Sequence, residues 1–271
     1  MFTARRLLLA SRSAARPLAA SAAVATAAAT LTTASSDTQN AGFFSSAPKI
    51  HLKYFSVQGA AETIRYTMAL AGAEWTETDW AVDFKKFSGP ASLPVACPPY
   101  AAAKDAGELD ANLGRVPVIV IDGKHEIGQS KTIERFLAKK LGVMGSGEIE
   151  AAMIDMFTEH IRDVKDGYQK AKGKTDKEAA VKEYFDKTMP EFMGKLEKSL
   201  PGAANSSGAL VGKSLSLADV TLYVFIKDFF DNKAGALASI DTCPRLKASI
   251  EATGKHPNIV KYLKKRTAIA T

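Results

Sequence analysis

Apolar and polar residues alternate over residues 49–55 (KIHLKYF), and this period of two predicts a β-strand. The pattern then switches. Ile64, Met68 and Ala71 recur at helical spacing, which predicts a helix over 60–71 that Gly72 ends. Residues 74–80 (EWTETDW) read as a second strand, and 116–122 (VPVIVID) as a short apolar one. Asp122-Gly123 marks a tight turn into 124–128, a hairpin signal. Residues 130–141 form an amphipathic helix with Ile133, Phe136 and Leu137 inward, closed by Gly142. The order is β-α-β followed by β-β-α, so residues 48–142 read as a small α/β layer.

Strand signals stop after Gly147. Residues 148–171 and 176–200 are long helical patterns, the second interrupted at Pro190. A polar loop fills 201–208. A strongly apolar helix is expected over 217–230 and a short terminal one over 257–266. Residues 148–271 therefore read as an all-helical domain, with the linker near 142–147. Ser216 and Asp219 have the spacing of a capping box, and Leu215 can staple onto Val220. The stretch 88–112 (SGPASLPVACPPYAAAKDAGELDAN) has four prolines and no clear period, and reads as an inserted surface loop, either a lid or a mobile segment.

Composition narrows the chemistry. With 46% hydrophobic and 24% charged residues the chain is an ordinary soluble one. Two cysteines exclude a disulfide scaffold and a four-cysteine zinc site, and four scattered histidines give no metal centre. No apolar run is long enough to suggest stable membrane insertion. The net charge of +7 is uneven. Residues 1–47 carry four arginines (Arg5, Arg6, Arg12, Arg16) against one acid, Asp37, and account for +3. The remaining +4 is too mild to imply a nucleic-acid partner. A segment rich in Arg, Ser and Ala and poor in acids reads as a transit peptide, to the mitochondrion first and a plastid second. A disordered tail on a cytoplasmic protein is the other reading.

Four motifs in the first domain and two in the second carry a family resemblance. Lys53-Tyr54-Phe55 followed by Gly59 to Arg65 (GAAETIR) resembles the opening of sigma-class glutathione transferases. Leu113-Gly114-Arg115-Val116-Pro117-Val118-Ile119 resembles that family's third strand with its cis-proline turn, and Asp122-Gly123 with Gln129-Ser130 its fourth strand and glutathione-binding serine. The Ser216–Asp219 box and His256-Pro257-Asn258-Ile259 resemble two helices of its second domain. The resemblance implies an α/β thioredoxin-like N-terminal domain plus an all-α C-terminal domain, a homodimer, and glutathione as co-substrate with no metal. The reaction implied is conjugation of the glutathione thiolate to a small apolar electrophile, a detoxification chemistry. Peroxide reduction, isomerisation, or glutathione binding without catalysis are the alternatives the family allows.

The implied roles fit the chemistry of the residues. A thiol with pKa near 8.5 must be held as a thiolate, and a hydrogen bond to a charged acceptor contributes roughly 1.5–3 kcal/mol. The resemblance makes Tyr54 that donor. Val116 and Pro117 would pair with the cysteinyl backbone as an added strand does, with Arg115 beside them. Ser130, opening a helix, and Gln129 would bind the γ-glutamyl end. Lys85 or Lys86 is expected at the glycyl carboxylate, beside an aromatic contact that aligns with Phe84 or Lys85. Ala60 stands where sigma enzymes often carry a basic residue. Asp155 or Glu159 is expected to reach the partner subunit's glutathione. The second substrate is expected near Val57, Gln58 and the first long helix, with Met153, Met156 and Phe157 as its lining. Cys97-Pro98-Pro99-Tyr100 offers a competing cysteine chemistry, but lacks a second cysteine and does not follow the first strand.

Overall fold

The structure is a computed structural model, and it describes residues 47–82, 97–202 and 206–266. Four strands make one mixed sheet: β1 (Ile50–Phe55), β2 (Trp75–Trp80), β3 (Val118–Ile121) and β4 (His125–Gly128). Their order is β2-β1-β3-β4, with β1 parallel to β2 and antiparallel to β3, and β3 antiparallel to β4. The crossover from β1 to β2 is α1 (Glu62–Leu70), the topology that a parallel pair requires. The expected fold class, a thioredoxin-like α/β layer feeding an all-helical one, is what the chain adopts.

Burial explains why α1 lacks a clean polar face. All nine of its residues are buried, because the helix lies between two layers. Ile64 and Met68 join Leu52 and Ile119 under the sheet, while Tyr66, Ala69 and Leu70 pack on Val220, Val224 and Ile259 of the helical part. That part comprises α4 (Glu148–Lys172), α5 (Lys177–Glu183), α6 (Met189–Ser199), α7 (Leu217–Lys227), α8 (Lys233–Ala238), α9 (Pro244–Lys255) and α10 (Pro257–Lys265), after α3 (Ser130–Lys140) has closed the sheet layer. A π-helical turn, Tyr184–Thr188, separates α5 from α6, and Pro190 sits in the first turn of α6. Proline has no N–H to continue an i→i−4 ladder, so the irregularity falls just before it.

Three readings of the sequence change. Residues 98–112 are not loop: α2 (Pro98–Asp105) is a helix, and Asp110–Asn112 a 3-10 turn. Pro98 and Pro99 stand at its first positions, where a missing N–H costs nothing, and three alanines follow. Two of the four prolines that suggest a loop are a helix start, while 88–96 of the expected insertion lie outside the described residues. Two further helices, α8 and α9, lie where the sequence pattern predicts no element. The helix expected to reach residue 230 stops at Lys227, and Phe230 turns into an aromatic cluster with Tyr168, Phe185 and Phe225. The capping box is formed as its spacing predicts.

Candidate functional site

Sheet register brings the sequence-predicted residues to one edge. Lys53 pairs with Val118, and Val118 with Gly128. Tyr54, Pro117 and Gln129 are each the next residue beyond those pairs, at the same end of three adjacent strands. With strands about 4.8 Å apart, their backbones fall within roughly 10 Å of one another.

Tyr54 is 7% exposed, and its ring packs among Ile50, Leu52, Ile64 and Ile119. Its oxygen reaches the turn that opens α1, where Oη accepts a hydrogen bond from the Ala60 N–H at 2.8 Å. Gly59 makes that approach possible: φ is +42°, and a Cβ there would stand 2.5 Å from Oη. Burial pushes the phenol pKa up, against the opposing pull of the Ala60 hydrogen bond and of Arg65, whose guanidinium lies 5.8 Å from the ring centroid. The phenol thus keeps its proton at neutral pH, and with a lone pair occupied by Ala60 its O–H is available to donate. Arg65 holds the turn itself. It is 1% exposed, donates to the Val57 carbonyl at 2.8 Å, and is neutralised by Glu77 at 2.9 Å and Glu62 at 3.3 Å.

The Val116-Pro117 bond is cis. Among the described residues no backbone group pairs with the Val116 N–H or C=O, which leaves an edge ready for an extended peptide. Arg115, beside it, is exposed, with Nε 3.4 Å from the Asn112 carbonyl. Gln129 precedes α3 with φ +67°, and Ser130 is the first residue of that helix, where N–H groups have no partner within the helix. One buried residue that sequence reasoning missed joins these pieces. Asn112 donates from Nδ2 to the Pro117 carbonyl at 3.0 Å and accepts at Oδ1 from the Gln129 N–H at 3.2 Å. Its partners lie 5 and 17 residues away, so no local spacing announces it.

Comparison with known proteins shows the family. Residues 162–266 match the model "Glutathione S-transferase, C-terminal domain". The chain is 30% identical over 220 residues to "Glutathione S-transferase P 1" of Xenopus laevis, covering 80% of this chain and 92% of that one. It is 31% identical over 225 residues to the human "Glutathione S-transferase A3", covering 80% and 87%. The chain belongs to the glutathione S-transferase family. A crystal structure of "monomeric Na-GST-3" from the hookworm Necator americanus superposes with a TM-score of 0.63 at 27% identity, covering 81% of this chain and 98% of that one.

Other expected positions of this glutathione S-transferase family member fall differently. Phe84, Lys85 and Lys86 lie outside the described residues. Asp155 pairs with Arg135 of its own α3 at 2.6 Å, and Glu159 pairs with both Arg135 and Arg162. Cys97 is buried against Trp80, Leu109 and Val118. Among the described residues no group of three or more His, Cys, Asp or Glu could hold a metal, and no helix is long and apolar enough to cross a membrane.

A cleft of about 190 Å³ opens between the two layers. Gln58 lines it as expected and Gly59 joins it, so its margin touches the residue that packs on Tyr54 Oη. The expected α4 lining does not. Phe157 is fully buried in the helical core with Met153 packed against it, and Met156 is 42% exposed. Thr158, Ile161, Arg162 and Lys165 present the cleft face instead. Apolar residues on α4 serve the core first, so their period reports the core face and not the cleft.

Proposed function

We propose that the chain is a glutathione transferase in which the Tyr54 O–H donates to the sulfur of glutathione and holds it as a thiolate. The observation that carries this reading is the Ala60–Tyr54 hydrogen bond: it turns the phenol into a donor at the edge where a peptide-ready backbone and a helix start converge. Val116 and Pro117 would take the cysteinyl backbone, Ser130 and Gln129 the γ-glutamyl carboxylate, and Arg115 would add positive charge beside them. The thiol proton leaves to solvent. The sulfur pair then forms a C–S bond to a small apolar electrophile, and the leaving group departs with its own pair, or an adjacent carbanion takes a proton.

The sigma-like class belongs to the same proposal, supported by Lys53-Tyr54-Phe55 and the Gly59 to Arg65 run. Homodimerisation is part of it too, with sedimentation as its check, since the hookworm relative is described as monomeric. Residues 1–47 would direct the protein to the mitochondrion, supported by their four arginines and single acid. A reporter fused to this segment that stays in the cytoplasm or enters a plastid refutes that address.

The deciding measurement is an ultraviolet titration of the thiolate in bound glutathione. The wild type is expected to ionise about one to two pH units below a free thiol, and Tyr54→Phe to return toward about 8.5. The phenol pKa is raised, so it donates throughout the neutral range; activity rises with pH as the thiol ionises and does not fall again until the phenol itself deprotonates. Equal midpoints in the two proteins remove Tyr54 from the role.

A further inference from the structure

The charges around the interlayer cleft do not cancel in place. Two acids line it, Glu62 and Asp228, and both are already held: Glu62 by Arg65 and Arg266, Asp228 by Arg266 at 3.2 Å. Three cations line it as well. Lys131 is matched by Glu134 at 2.8 Å, and Arg162 by Glu159. Lys165 is the exception. Among the described residues no carboxylate lies within ion-pair distance of it, its Nζ sits 4.3 Å from the Phe229 ring centroid, and Glu134, already paired with Lys131, and Asp166 act on it only from farther away. The side chain is half-buried, with Ile161, Val224 and Phe225 as nearby cleft walls. Burial, and then Lys131, hold its pKa below the usual lysine value, against the opposing pull of Glu134 and Asp166. An ammonium kept off water without a direct ion pair is unfavourable, and an anion delivered to it recovers part of that cost.

We infer that the cleft selects electrophiles that are apolar and carry one carboxylate, with Lys165 binding the carboxylate and Phe225 and Phe229 the apolar body. The cleft follows α4 from Thr158 to Lys165, about 10 Å of helix, room for one ring and a short acid chain. The reactive carbon is then left to face the Gly59 margin, where Tyr54 Oη lies. That these ligands are substrates rests on the transferase reading; that the cleft prefers them does not.

The test uses equilibrium binding, without turnover, of 4-phenylbutanoate and its amide, with and without saturating glutathione. The acid is expected to bind wild type about tenfold more tightly than the amide. Lys165→Met is expected to bring that ratio close to one, and Lys165→Arg to keep it. Equal affinities in wild type, no binding of either compound, an unchanged ratio in Lys165→Met, or complete displacement of the acid by glutathione each overturn the inference. A null result in the Tyr54→Phe titration would leave the binding ratio intact, so the two readings fail separately.

Discussion

Two buried polar side chains, one in each layer, tie distant backbone together, and they do so in opposite ways. Asp219 in the helical layer is a closed hub. Its Oδ1 accepts from the Leu210 N–H and the Ser249 hydroxyl, and its Oδ2 from the Ser216 N–H and hydroxyl, all between 2.7 and 2.9 Å. Asn112 in the sheet layer is an open one. It holds the Pro117 carbonyl and the Gln129 N–H, while the neighbouring Val116 backbone and the first turn of α3 would be left to glutathione under the proposed function. The closed hub spends its hydrogen bonds on stability. The open hub sets the distance between two halves of the proposed binding edge.

The largest effect expected is at the closed hub. Asp219→Ala would leave two N–H groups and two hydroxyls without their acceptor at a site that is 0% exposed. The expected loss is roughly 3–5 kcal/mol of unfolding free energy, read from urea denaturation. A loss below about 1 kcal/mol would mean that water or a shift of α9 replaces the carboxylate at little cost, and the contrast between the hubs would dissolve.

At the open hub the loss is smaller and of another kind. Asn112→Ala removes two neutral hydrogen bonds, so the stability cost is about 1–2 kcal/mol. Its distinguishing signature is kinetic: KM for glutathione is expected to rise about fivefold to tenfold, with kcat changing less, because Asn112 positions the edge and does not touch sulfur. Loss of stability with an unchanged KM would make Asn112 a packing residue only. Gly128 reinforces the same seam, since a Cβ there would fall 2.6 Å from both the Ala111 carbonyl oxygen and the Asn112 Cβ.

The two hubs also differ in how far the sequence exposes them. Asp219 is legible because its partner Ser216 is three residues away, and a capping box is a local pattern. Asn112 is not, because its two contacts depend on the register of β3 and β4. The same division runs through the molecule. The strands, α1 and α3 follow from period and turn residues, and Tyr54 stands near a strand end, Pro117 after a cis bond and Ser130 at a helix start. What needs tertiary context was missed: the Arg65 clamp on Val57, the turn of α4 that gives Lys165 and not Met156 to the cleft, and α2, whose starting prolines mimic a loop.

The smallest effect sharpens the comparison from outside either hub. The π-helical turn Tyr184–Thr188 has an exposed ion pair, Lys182 with Asp186, and two buried aromatics, Tyr184 and Phe185. Both could be credited with holding the turn. The pair's side chains are 76% and 58% exposed, so water and salt screen the attraction and the long lysine chain loses rotamer freedom to make it. The aromatics instead pack on Tyr168 and Phe230, and Tyr184 Oη donates to the Val164 carbonyl at 2.9 Å across to α4. Lys182→Ala is therefore expected to leave the thermal midpoint within about 1 °C of wild type, and raising the salt concentration should not separate the two proteins. A drop of about 5 °C that salt reproduces in the wild type would show that surface charge holds the turn, and that the stability of the helical layer does not reside in its buried contacts alone.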